Sequence, residues 1–447
     1  MESFVIAVVS MAVVLGFMIL IHEFGHYAAA KFFRVRVLTF SVGFGKRLWG
    51  FRRGETDYRI SALPLGGYVK MAGENPLEAR SGAPDEFMSH PRWQRFVIAI
   101  AGPAMNILLA VALLTVVFMV HYERPEFFNK PAVIGWVLDN SPAAKAGIQQ
   151  GDRIVSIEGE TDPTWEDVLL KVMISPNHPI DLEIQRGGTT LQKQVKPQSE
   201  SADEYGSVGW EPEQPIIVAE LEPNMPALKA GLKVNDHIVA INGNPIRSRL
   251  AIRHYLQQNG EQPVDVTVVR DGKEMHFTMT PVHKLESGQD GYWLGFLMSG
   301  PPMTVGKLSF PMAFKQSLAE NRRYSVLIVD LVGKLVERQA SIKQMEGPIG
   351  IAKATGEAAR EPGWTPLLGL TAMISLNLGI LNLLPIPILD GGVILLLIIE
   401  SVMRRDISMH IKERIYQTAF VFLLLFFAVV IYNDLMKALP GLAQRLP

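Results

Sequence analysis

The sequence predicts a polytopic α-helical membrane protein with four transmembrane helices and a duplicated α+β segment on one side of the membrane. Three observations carry this prediction. The 447 residues contain four uncharged, strongly apolar stretches, each close to or longer than the ~20 residues a spanning helix needs. Lys and Arg gather in two of the loops between them, whereas the third loop is long and acidic. Part of that long loop repeats itself at a constant offset, the sign of a duplicated domain.

The averages hide this organisation: 48% of residues are hydrophobic, 19% are charged, and the net charge is −1. That charge excludes a basic nucleic-acid binder. With no cysteine in the chain, disulfides, Fe–S clusters, thiolate zinc sites and cysteine nucleophiles are excluded too.

The apolar stretches run Ser3–Ile21, Phe96–Val120, Pro362–Leu389 and Ile415–Asn433. The first does not read as a secretory leader. Glu2 precedes it without a Lys or Arg, and His22-Glu23 follows it where a small-residue cleavage site would stand, so a retained span is expected. Orientation follows the positive-inside rule. The loop Lys31–Arg95 carries 12 Lys/Arg against 6 Asp/Glu, and Met403–Arg414 carries Arg404, Arg405, Lys412 and Arg414. Both are expected in the cytoplasm. The 245 residues His121–Thr365 carry 25 Lys/Arg against 31 Asp/Glu and are expected outside, as are both termini. The expected order is a first span to residue 30, a loop over 31–95, a second span over 96–121, two repeats over 128–212 and 213–300, a linker over 301–361, and spans over 362–402 and 415–437.

The repeat has an offset of 84 residues. From Asn140 to Gly159, 11 of 20 positions are identical to Asn224–Gly243. Pro179, Asp181, Arg186, Gly188 and Pro197 keep the register with Pro263, Asp265, Arg270, Gly272 and Pro281. Each copy reads as strand, short helix closed by a Gly, strand, hairpin and strand, with Arg186-Gly-Gly and Arg270-Asp-Gly as the hairpin turns.

Chemistry concentrates at the end of the first span. His22-Glu23-Phe24-Gly25-His26 is an HExxH motif. At i and i+4 its imidazoles share one helix face, about 6 Å apart, which suits two corners of a zinc tetrahedron, with Glu23 placed to take a proton from water. Ionisable groups at membrane depth are costly and belong to functional sites by default. A catalytic Zn2+ site needs a third protein ligand. Asp390, in Asn382-Leu-Leu-Pro-Ile-Pro-Ile-Leu-Asp-Gly-Gly, is the first charge after 28 uncharged residues. Both spans run from outside to inside, so His22 and Asp390 reach the same depth. Pro385 and Pro387 break the helix there, and irregular backbone inside a membrane belongs where it is buried or faces water. The alternative role for Asp390 is a helix N-cap.

HExxH in the first span, NxxPxPxLDG in the third and the repeats between spans two and three together resemble the site-2 protease family, in its bacterial form that regulates sigma-E. The repeat signature xPAxKAGxxxxDxIxxIxG resembles the circularly permuted PDZ domain. The resemblance covers essentially the whole chain. It implies an intramembrane zinc metalloprotease of the bacterial inner membrane, with His22, His26 and Asp390 as zinc ligands and Glu23 as general base. It further implies that Asn377 and, more directly, Asn382 hold the substrate backbone, unless they serve as interhelical amides. The segment Thr56–Met71, with Gly66 and Gly67, would form a membrane-reentrant β-sheet that pairs with an unwound substrate. Gly102-Pro103-Ala104-Met105-Asn106 matches the family's GPxxN element and reads equally as small-residue helix packing. Phe310–Arg338 reads as an amphipathic helix on the outer membrane surface, and Gly347-Pro348-Ile349-Gly350-Ile351 also matches the family.

Substrates implied by the resemblance are single-span membrane proteins already trimmed outside, of the anti-sigma-factor type, and remnant signal peptides. The PDZ pair, at loops Val208-Gly209-Trp210 and Leu294-Gly295-Phe296, would filter them or bind peptide C-termini. Membrane lipid is the other expected partner, and nucleic acid is not. The competing reading is a catalytically inactive PDZ-bearing scaffold. A transporter with a broken midplane helix fits four spans poorly.

Overall fold

The computed structural model describes residues 2–74, 81–200, 204–286 and 289–438. It divides into two compact units. One comprises Met1–Tyr122, Lys307–Val332 and Met345–Pro447, and the other comprises Glu123–Gly306 and Gly333–Gln344.

The first unit begins with helix α1, Glu2–Phe32. Its first half exposes Phe4, Val5, Val9 and Val13, apolar side chains that a bilayer would cover. The strand β1 (Val37–Arg53) and the strand β2 (Thr56–Met71) follow. Residues 37–43 alternate between buried and partly buried positions, the period-two pattern of a half-covered sheet. The register shows more than a simple hairpin. Residues 47–53 pair with 56–61 across the tight turn, while residues 39–42 take partners on both sides, Val42↔Ile60 on one and Val42↔Gly67 on the other. Residues 67–71 therefore form an outer edge. Helix α2, Arg92–Val120, starts after Pro91 and contains Pro103, which lacks an N–H to offer the Ala99 carbonyl.

The second unit holds the two repeats. Short helices α3 (Pro142–Lys145) and α5 (Pro226–Ala230) occupy matching places. So do the longer helices α4 (Trp165–Met173) and α6 (Arg249–Asn259). The repeat pattern lacks this longer pair, because α4 and α6 share no identical residue at the offset of 84. What persists is burial at i and i+4: Val168 and Val172 in one, Ile252 and Leu256 in the other. Both hairpins turn through two left-handed residues, Gly187-Gly188 and Asp271-Gly272, the geometry that suits the twist of paired strands. Each copy also makes the same ion pair on a buried aspartate. Arg186 Nε lies 2.7 Å from Asp152, and Arg270 Nε 2.6 Å from Asp236. Each aspartate accepts one more backbone N–H, from Gln149 and Lys233.

Helix α7, Phe310–Val336, leads back to the first unit. Up to residue 332 it belongs to that unit and does more than lie on a surface. Ser317, Glu320 and Asn321 are buried, and Ser317 Oγ donates to the Val111 carbonyl of α2 at 2.8 Å. The polar stripe of this amphipathic helix is thus spent partly on a neighbouring helix. Next come α8 (Pro348–Ala358), α9 (Thr365–Asn382), α10 (Asp390–Met403) and α11 (Met409–Ala438). The third apolar stretch is two helices separated at Pro385 and Pro387. Among the described residues, four helices are long and apolar enough to cross a membrane: Phe4–Phe32, Arg92–Val120, Thr365–Asn382 and His410–Lys437. The Gly347–Ile351 segment opens α8, and its exposed amides have a partner on α11. Asp434, itself buried, accepts the Ile349 N–H at 2.6 Å and the Gly350 N–H at 3.2 Å.

Candidate metal centre

Helix α1 carries His22, Glu23 and His26 into the bundle, and the break between α9 and α10 brings Asp390 to meet them. His22 Nε2 lies 3.1 Å from Asp390 Oδ2, and His26 Nε2 lies 3.4 Å from Asp390 Oδ1. The two Nε2 atoms are 3.2 Å apart. All three residues are among the described His, Cys, Asp and Glu groups that could hold a metal. A tetrahedral ion with bonds of about 2.0–2.2 Å separates its ligands by about 3.4 Å, so this spacing fits zinc.

The other ring nitrogens agree with that use. His26 Nδ1 donates to the Ile98 carbonyl at 2.8 Å, which leaves Nε2 with its lone pair facing the site. His22 Nδ1 lies 3.3 Å from the side-chain amide of Asn106, whose Oδ1 is otherwise buried without a partner. The amide can be turned end for end in the same space. Oδ1 then accepts from His22 Nδ1–H, and His22 Nε2 is also free to bind a metal.

Glycines make room for this arrangement. A Cβ on Gly102 would overlap the His26 imidazole, and one on Gly25 would overlap the Ala101 carbonyl of α2. The GPxxN element therefore serves both packing and the histidines: Gly102 leaves space for one and Asn106 contacts the other. Gly391 and Gly392 are confined by the carbonyls of Leu383, Leu384 and Ile386, since the Pro385–Pro387 turn folds back on the start of α10. Asp390 is the first residue of that helix, and its N-cap position belongs to Leu389; the N-cap alternative for Asp390 is not what forms.

Glu23 stands beside the histidines, and its Oε2 accepts the Val69 N–H of β2 at 2.9 Å. A Cβ on Gly67 would come within 3.4 Å of Glu23 Cγ, so the strand edge runs directly past this carboxylate. Gly66 is turned away, at φ +146 against the Phe44 ring. Asn382 Nδ2 reaches 3.5 Å from His22 Nε2. Asn377 does not join it: five residues earlier on α9, its direction differs by about 140° at 100° per residue, and it lies outside the cavity wall.

A cavity of about 410 Å³ opens at this point, lined by His22, Glu23, His26, Asn382 and Asp390 and by residues that sequence reasoning did not single out, among them Tyr68, Val69, Glu74, Glu400 and Lys412. Burial raises the Glu74 carboxyl above its ordinary value, against the Met71 N–H that it accepts at 3.0 Å. Asn106 is already marked in the sequence by the GPxxN element, whereas Glu74 and Glu400 carry no local signal.

Two imidazoles and two carboxylates brought together on apolar helices are the donor types of a hydrolytic metal site. The sequence model of Peptidase family M50 matches residues 10–426. The chain belongs to this family. The M50 protein is 32% identical over 459 residues to "Regulator of sigma-E protease RseP" of Escherichia coli (strain K12), with 97% of this chain and 99% of that protein covered. It is 31% identical over 439 residues to a protein of Treponema pallidum (strain Nichols) whose name places it among the zinc metalloproteases, covering 94% of this chain and 97% of that one. A solved PDZ domain of an SdrC-like protein from Listeria monocytogenes aligns with 19% of this chain and 85% of its own length, at 19% identity and a TM-score of 0.17, a likeness too slight to argue from. The M50 protein is a zinc metalloprotease of the site-2 type.

Proposed function

We propose that this zinc metalloprotease hydrolyses peptide bonds within the membrane spans of single-span proteins already trimmed on the outer side, of the anti-sigma-factor type, and of remnant signal peptides. The observation that carries the reading is the meeting of His22, His26 and Asp390 within 3.1–3.4 Å on apolar helices, beside a carboxylate tied to a strand edge. His22, His26 and Asp390 would hold the zinc. When bound, zinc supplies Lewis-acid polarisation of the scissile carbonyl and acidifies water.

The rest is the work of the chain. Glu23 takes the proton of the attacking water and passes it to the departing amide nitrogen. The Val69 amide holds Glu23 Oε2, which fixes the carboxylate beside the histidines. The outer edge at residues 67–71 pairs with the substrate as an added strand, which is how a helical span surrenders the amide bonds it otherwise keeps hydrogen-bonded. Asn382 holds the extended backbone beside His22.

In this reading the protein is a multi-pass protein of the bacterial inner membrane, with both termini and two PDZ-like repeats in the periplasm. The repeats act as a filter against untrimmed ectodomains. The test uses purified protein in detergent. His22→Ala and Asp390→Asn should lose their zinc, near one per chain in wild type, together with cleavage of a single-span substrate; cleavage that survives the loss of zinc contradicts the reading. Deleting residues 130–299 should admit substrates with longer ectodomains, and an unchanged length limit contradicts the filter.

A further inference from the structure

The cavity at the metal centre extends well beyond the reacting groups. One face of α10 lines it throughout, from Asp390 through Val393, Leu396 and Leu397 to Glu400. Ten residues of helix at 1.5 Å each put Glu400 about 15 Å from Asp390. The stretch between is apolar, with Ile98 and Ala99 of α2 also in the wall. The far end is charged. Glu400 Oε1 is paired with Lys412 of α11 at 2.6 Å and accepts the Ile407 N–H at 3.0 Å. Glu400 is fully buried, and its Oε2 has no hydrogen-bond partner. A buried carboxylate oxygen left without a donor costs stability unless something fills the place. Glu74 contributes another carboxylate to the wall. The positive groups nearby are already engaged: Lys412 on Glu400, Arg92 on Asp406 at 2.7 Å, and Arg95 on Met88 Sδ at 3.3 Å.

We propose that Glu400 Oε2 is the floor of a subsite for a lysine or arginine side chain that flanks the substrate's membrane span, and that this subsite selects which peptide bond reaches the metal centre. The proposal rests on the protease reading above. A cavity wall that is apolar along α10 and backed at its far end by an unpaired, fully buried acceptor matches the order of groups at a span's inner end, where apolar residues give way to Lys or Arg. A long basic side chain can lay its methylenes along Leu396 and Leu397, covering about 6 Å, and deliver its charged head to Glu400. An extended chain advances about 3.3 Å per residue, so the other ~9 Å corresponds to about three residues. The basic residue should therefore lie about three positions from the scissile bond, toward the Met403–Met409 turn.

The experiment uses the full chain in detergent and a series of single-span substrates whose only flanking lysine is moved one position at a time, with the cut located by mass spectrometry. Wild type should move its cut in step with the lysine over at least three positions. Replacing that lysine by leucine should scatter the cut over several bonds, with no change to the enzyme. Glu400→Gln should uncouple the cut from the lysine. A cut that stays at one bond wherever the lysine stands overturns the subsite, and so does a single retained cut with leucine. Coupling that persists in folded Glu400→Gln overturns the role of Glu400. If wild type cuts none of the substrates, the protease reading falls as well, an outcome distinct from cleavage at an unmoved bond.

Discussion

The Val69 amide donates to Glu23 Oε2 at 2.9 Å, so the carboxylate beside the two histidines is held by the outer edge of a β-sheet. One hydrogen bond joins the group that moves the proton to the strand that would receive the substrate. Val69 is opposite Phe40 in the ladder, yet its N–H points away from that partner.

That relationship is testable with Val69→Pro. Proline is tolerated on an edge whose N–H serves no ladder bond, so the sheet should persist. Glu23 loses its tether, and a misplaced general base costs roughly tenfold or more in kcat. Zinc content should stay near wild type. Unchanged turnover in a folded Val69→Pro would show that the tether is irrelevant.

Gly102→Ala puts a methyl group where the His26 imidazole lies. Zinc affinity should fall roughly 10–100-fold, the range found when the support of a ligand is disturbed. Titration with a competing chelator measures this directly. A methyl group at Gly369 would meet no atom within 4 Å, so Gly369→Ala is the control that should change nothing.

Asn106→Leu removes the partner of His22 Nδ1 and should weaken zinc binding roughly 10–100-fold. Asn106→Asp keeps an acceptor opposite that nitrogen and should retain most of the affinity. Equal loss in both would contradict the turned amide and the tautomer it fixes.

Asp434→Ala should uncouple α8 from α11. It takes away the acceptor of the Ile349 and Gly350 amides, a loss of about 1–2 kcal/mol by analogy with helix caps. Hydrogen exchange at residues 349–351 should accelerate about tenfold, and unaltered protection would contradict the capping role.

The repeats should weaken in acid. Burial pushes the Asp236 carboxyl up, but the Arg270 guanidinium and the Lys233 N–H outweigh it and hold the group below its ordinary value. A carboxyl depressed in the folded state contributes stability above its unfolded pKa of about 3.9 and loses it as pH falls through the lower folded value. Hydrogen exchange over 213–300 should therefore show protection that is level at pH 5–7 and lost below about pH 4. Asp236→Asn should remove most of that step.

Much of the fold was legible because its signals are local. Uncharged runs gave the four candidate spans, and an ungapped repeat gave the matching elements of the second unit. HExxH and Asp390 were legible because a charge inside an apolar run stands out and because one turn of helix separates the two histidines. The β1 strand was not, since alternation at Val37, Thr39 and Ser41 mixes apolar and polar buried residues. Helices α4 and α6 escaped because the repeat keeps their burial pattern but none of their residues. In the sequence Glu400 is one charge after a run of apolar residues, and Lys412 is one member of a basic loop. Their pairing depends on how α10 and α11 meet, which no local spacing encodes. The same holds for Val69, whose role is set by the side of the strand that faces Glu23.

The central claim is that Glu23 moves the proton during peptide hydrolysis at this centre, and Glu23→Gln tests it most directly. Wild type and variant would be purified in detergent, assayed for zinc, and incubated with the same single-span substrate. The account predicts equal zinc, near one per chain, and a cleavage rate at least 100-fold lower in the variant. Equal cleavage by both proteins at equal zinc content would contradict it.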